Sequence, residues 1–218
     1  MSYGHEHTPS FKDGGAADQL IRLQSAWLDG ECESAAASEQ LSEILEQLLY
    51  QLFDTRGLPF DRFIICLHHY RNAALLSYCM DISSEQHWTR PILRQSALRR
   101  ITKACQKCDF GKNDVAVDEL ITFRDRLISG EQIQGILDDL LEQEYSHPFN
   151  PPDPSILHPT QAIEHYATYH RKQQEMVILA ATLSYCIKNG WSSEMCHSLW
   201  VMTTFCLAST SILDAMER

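Results

Sequence analysis

The chain has 218 residues, 44% of them apolar, and a formal charge of −11. It can bury a substantial core, and its acidity argues against indiscriminate nucleic-acid binding. The longest apolar-leaning run, 176–187, includes Thr, Ser and Tyr and is too short and too polar to cross a bilayer.

The opening MSYGHEHTPSFKDGG has no apolar stretch of the kind a signal peptide needs, and residues 1–14 read as a flexible N-terminal segment. A first helix is expected from Asp18 to Leu28, with Leu20, Leu23 and Trp27 on its apolar side and Gly30 as a left-handed stop. The second, 37–54, has the clearest periodicity: Leu41, Ile44, Leu45, Leu48 and Leu52 recur at helical spacing, with Glu39, Glu43 and Glu46 opposite. A third helix, 61–80, is apolar nearly all round and should be central. Ser83 with Gln86 resembles a capping box ahead of a fourth helix from about Arg90 to Lys107, with Pro91 in its first turn. Helices are then expected from after Asp114 to before Gly130, at 132–145, from Thr160 to Lys188, and from Ser192 or Ser193 almost to the C-terminus. Between the second and third of these, residues 146–159 hold five of the eight prolines and read as an extended, stiff loop.

The same order occurs twice. ADQLIRLQSAWLDGE (17–31) is echoed by VDELITFRDRLISGE (117–131). ILEQLLYQLF (44–53) is echoed by ILDDLLEQEY (136–145), AALLSYC (73–79) by AATLSYC (180–186), and SSE (83–85) by SSE (192–194). The expected fold is therefore all-α, about eight helices as two tandem, internally duplicated four-helix units, 15–112 and 113–218, packed into one compact body. Leu20 and Leu120, Leu48 and Leu140, and the Leu75 and Thr182 region should occupy equivalent core positions.

Charge is segregated. No Lys or Arg falls between Arg22 and Arg56 or between Arg126 and Arg171, and both stretches are acidic. Seven of the eighteen basic residues cluster at Arg90, Arg94, Arg99, Arg100, Lys103, Lys107 and Lys112. The plainest reading is internal compensation, with the basic helix lying near the acidic ones.

Motifs for chemistry are weak. Cys105 and Cys108 form a CxxC without a second pair to complete a zinc site or a preceding strand for a redox site. Glu194/His197 and Glu144/His147 have ExxH spacing, and both pairs read as helix-surface residues. No GxGxxG, GxxxxGK[ST], GxSxG or HExxH occurs. Eight cysteines, several in apolar helical stretches (Cys66, Cys79, Cys186, Cys206), read as free thiols in a reducing cytoplasm.

These features point first to a noncatalytic cytoplasmic protein-binding module, either an immunity- or antitoxin-type inhibitor or a regulatory adaptor. Its acidic helix faces (Glu39, Glu43, Glu46 and Asp138, Asp139, Glu142) would meet a protein with a basic surface. No catalytic residue, metal or cofactor is assigned, no membrane is expected, and nucleic acid ranks below a protein partner. The alternative is a small-molecule or metal-binding helical protein, or an enzyme. Its pocket would lie between the repeats and draw on His68, His69, His165, Tyr166, His170 and Glu175.

Overall fold

A computed structural model describes residues 15–53, 58–107, 115–146 and 159–209, with side chains described within 15–53, 58–103, 120–142 and 173–203. The described residues form eight helices and no strand. These are α1 (Ala16–Leu28), α2 (Ser34–Phe53), α3 (Phe60–Glu85), α4 (Pro91–Lys107), α5 (Val115–Ile128), α6 (Ile133–Ser146), α7 (Pro159–Lys188) and α8 (Ser193–Ser209). The all-α expectation holds, and most boundaries fall within three residues of the sequence reading. None of these helices is long and apolar enough to cross a membrane.

Each helix buries the stripe that its periodicity marks. In α2, Ala37, Leu41, Ile44, Leu48 and Leu52 are buried while Glu39, Glu43 and Glu46 face outward, as an amphipathic helix on a core must be. α3 is buried on nearly every side from Phe63 to Ser83. α7 is as central: every residue from Ile178 to Cys186 is buried, and the helix packs against α2, α3, α4, α5, α6 and α8.

In the first four helices, α1 packs on α2, α3 and α4, α2 on α3, and α3 on α4. The next four repeat the pattern: α5 packs on α6, α7 and α8, α6 on α7, and α7 on α8. The turns recur as well. After α1, Glu31 N–H donates to Ala26 O (2.8 Å) and Gly30 N–H to Trp27 O (3.2 Å); after α5, Glu131 donates to Arg126 O (3.2 Å) and Gly130 to Leu127 O (3.1 Å). After α3, Trp88 donates to Ser83 O (2.8 Å) and His87 to Ser84 O (3.2 Å); after α7, Trp191 donates to Cys186 O (2.9 Å) and Gly190 to Ile187 O (3.1 Å). All four are Schellman closures, in which one left-handed residue lets the last carbonyls of a helix find donors. Leu20 and Leu120, Leu48 and Leu140, and Leu75 and Thr182 are all buried.

Two local readings change. α3 runs to Glu85 rather than 80, because Ile82 and Ser83 are still buried and extend its packing by a turn. It ends only where His87 adopts φ +54°. Ser83 and Gln86 therefore close α3, and the expected capping box ahead of α4 does not form. The SSE echo is consequently not one of position: residues 83–85 end α3, whereas Ser193 begins α8, with Ser192 Oγ accepting from Met195 N–H (3.3 Å).

Candidate interaction surface

The acidic side of α2 is set by the same periodicity that builds the core. Glu39, Glu43, Glu46 and Tyr50 follow one another at i, i+4, i+7 and i+11, on the side opposite Leu41, Ile44 and Leu48. All four are exposed, Tyr50 by 61%. None of the three carboxylates has an ion-pair partner among the described residues. Tyr50 was not singled out from sequence, although it completes the Glu stripe. An exposed tyrosine on a charged face is the residue type that anchors protein interfaces.

The matching side of α6 is different. Arg126 at the end of α5 donates Nε to Glu131 Oε2 (2.8 Å) and Nη2 to Glu131 Oε1 (2.5 Å) and Asp139 Oδ2 (2.6 Å). The guanidinium holds the Glu131 carboxyl below its ordinary value. Asp138 accepts a hydrogen bond from Gln134 Nε2 (2.8 Å), and Glu142 is exposed. The six carboxylates grouped by sequence thus belong to two unlike surfaces.

The basic cluster on α4 also divides. Arg94 is 5% exposed and is structural. Its Nη1 donates to Trp27 O (2.6 Å) and Cys32 O (3.0 Å), its Nε to Trp88 O (3.3 Å), and its guanidinium lies 5.3 Å from the Trp27 ring centroid. Arg99 and Lys103 are exposed and have no ion-pair partner among the described residues. The expected internal compensation therefore does not reach them. α1 and α3 each pack against both α2 and α4.

Of the residues expected to line a pocket at the junction of the halves, His68 and His69 are half-buried on α3 with ring centroids 6.0 Å apart at 79°. His68 Nδ1 pairs with Asn72 Nδ2 at 3.3 Å. Burial lowers the pKa of both imidazoles; the neighbouring His69 and Arg71 lower that of His68 further, while Asp18 acts the other way on His69. Gln174 Nε2 donates to Arg71 O (2.9 Å), and Glu175 is half-buried beside it. The side chains of His165, Tyr166 and His170 lie outside the described residues. Toward the other end the junction is aromatic: Phe63 stacks on Tyr185 at 4.4 Å, and Trp191 meets Tyr185 edge-on at 5.6 Å.

Cys32, Cys66 and Cys186 are poor nucleophiles, since the thiolate is the reactive form and the pKa of each is raised. Burial pushes Cys66 up to about 12. Cys186 is raised by its hydrogen bond with Cys196 and by burial. The Cys105 and Cys108 side chains lie outside the described residues, as do His147 and the loop at 147–158. Among the described residues no group of three or more His, Cys, Asp or Glu side chains is placed to hold a metal ion. No family model, curated protein or solved structure is significantly similar to this chain.

Proposed function

We propose that the chain is a noncatalytic, cytoplasmic protein-binding module, built as two copies of a four-helix unit, that engages a basic protein surface through α2. The observation that carries the reading is the exposed stripe Glu39–Glu43–Glu46–Tyr50, three carboxylates without a partner among the described residues followed by an aromatic side chain. Uncompensated charge of one sign speeds association and selects a partner of the other sign, while the aromatic group supplies contact area. An inhibitor that masks a basic active site and a regulatory adaptor are the two forms this module would take.

Duplication is supported by the recurrence of the helix pairings and of the Schellman turns in both halves. The cytoplasm is supported by the five thiols that are free among the described residues, Cys32, Cys66, Cys79, Cys186 and Cys196, which suit a reducing compartment.

The test compares two baits in affinity capture from the host: the wild-type chain and the Glu39→Gln/Glu43→Gln/Glu46→Gln variant. The expected result is a stoichiometric basic protein whose affinity falls at least about tenfold with the triple variant. An Asp138→Asn/Asp139→Asn variant should still hold it. Equal capture by the triple variant, or a tightly held metal or small molecule in place of a protein, overturns the reading.

A further inference from the structure

A matching stripe exists on the same chain. On α4, Ile92, Ser96, Arg99 and Lys103 stand at i, i+4, i+7 and i+11, opposite the buried Arg94, Ala97, Leu98 and Ile101. All four are exposed, Ile92 by 71%. The spacing equals that of Glu39, Glu43, Glu46 and Tyr50, so the two stripes can be laid side by side in either direction. Antiparallel, Glu39 meets Lys103, Glu43 meets Arg99, Glu46 meets Ser96 and Tyr50 meets Ile92. Parallel, Glu46 is the one carboxylate that meets a cation, Arg99, while Glu39 faces Ile92 and Tyr50 faces Lys103. The antiparallel register alone joins unlike charges twice and closes the apolar ends on each other.

We propose that the occupant of the α2 stripe is α4 of a second copy of this chain, docked antiparallel in that register. This rests on the reading of α2 as a docking face and names its partner. Within one chain α1 and α3 pack against both α2 and α4, and among the described residues no carboxylate of the α2 stripe pairs with Arg99 or Lys103. Each copy carries both stripes, so the contact closes a two-fold dimer if α2 and α4 of one copy reach α4 and α2 of the other, and otherwise propagates as a ring or a filament. Two exposed ion pairs contribute little affinity by themselves. Tyr50 against Ile92, flanked by Leu93 at 41% exposure, supplies the apolar part, and the charges supply register and salt sensitivity.

The experiment is sedimentation velocity on the full chain over a concentration series, at low and at high salt. Wild-type mass should rise with concentration, and salt should weaken the association by about threefold or more. Five further samples locate the contact. Glu39→Lys/Glu43→Arg and Arg99→Glu/Lys103→Glu should each stay monomeric. The four substitutions in one chain, and an equimolar mixture of the two double variants, should both reassociate. Their recovery also shows that loss in the double variants is not misfolding. Tyr50→Ala should weaken the contact with charge unchanged.

A wild-type chain that stays monomeric, or double variants that associate as the wild type does, overturns the proposal. If the monomeric wild type captures a basic protein that the Glu39→Gln/Glu43→Gln/Glu46→Gln variant loses, α2 remains a docking face and only the second copy falls. If the monomer instead binds a short RNA or DNA probe in a salt-dependent way that Arg99→Glu/Lys103→Glu abolishes, the α4 stripe belongs to nucleic acid and the proposal falls.

Discussion

The first and second halves of the chain use the same helix order and the same turns, yet they hold their charges differently. In the second half Arg126 binds Glu131 and Asp139, so part of the acidity of α6 is answered within its own unit. The residue at the matching position of α1 is Ala26, which has no charge to offer, and the carboxylates of α2 stay exposed. The corner beneath the fourth helix of each set differs as well. Arg94 ties α4 to Trp27 O and Cys32 O in the first half, whereas a hydroxyl does the corresponding work in the second, Ser193 Oγ donating to Glu131 O at 2.5 Å. A count of acidic residues therefore does not locate an interface. Where the neighbouring cations sit decides it.

The sharpest test of that difference is at the corners. Arg94→Met should cost about 3 kcal/mol, since it strips charge-assisted donors from buried carbonyls and removes the guanidinium packed on Trp27. Ser193→Ala, at an exposed site with one hydrogen bond, should cost about 1 kcal/mol or less. Urea unfolding followed by far-UV circular dichroism measures both. Equal costs would mean that the buried cation is no more important to the first corner than the hydroxyl is to the second.

A smaller difference should separate the two glycines. Gly30 and Gly130 adopt φ +79° and +80°, so alanine at either strains the turn by about 1 kcal/mol. At Gly130 an added Cβ meets nothing within 4 Å, while at Gly30 it comes within 3.1 Å of Pro91 Cγ, a ring carbon that cannot swing away. Gly30→Ala should thus lose about 1 kcal/mol more than Gly130→Ala. The excess should shrink when Gly30→Ala is repeated in a Pro91→Ala background. A persistent excess would move its cause from that contact to the turn itself.

The helices were legible because their buried stripes are regular: Leu41, Ile44, Leu48 and Leu52 announce α2, and Gly30, Gly130 and Gly190 announce three of the helix ends. The end of α3 was misplaced because His87, a residue with a Cβ, takes the left-handed position that glycine usually marks. The acidic stretches were visible as composition. Their division was not, because Arg126 reaches Asp139 across thirteen residues and two helices, a contact that periodicity within one helix does not report. Arg94 was grouped with the rest of the basic cluster for the same reason: two of its acceptors lie 67 and 62 residues away.

Arg126 carries the finest test, because removing it should make α6 resemble α2. Arg126→Ala leaves Glu131 and Asp139 without their cation, and the exposed setting keeps the effect on stability small. Its signature is in pH. Glu131 has its pKa lowered in the folded chain, chiefly by the hydrogen bond from Arg126. Between that lowered value and the unfolded one, the unfolded chain binds more protons, so stability rises with pH across that interval. The contribution is complete above the ordinary carboxylate value of about 4.3 and is lost as the pH falls through the folded value. The gap in unfolding free energy between wild type and Arg126→Ala should therefore be widest near neutrality, narrow in acid, and shrink again at about 1 M salt, where the Debye length falls to about 3 Å and exposed charges are strongly screened. A gap that stays constant with pH and salt would mean that Arg126 acts through its packing over the Phe123 ring, 5.7 Å away. The contrast between the two acidic faces would then rest on shape rather than on charge.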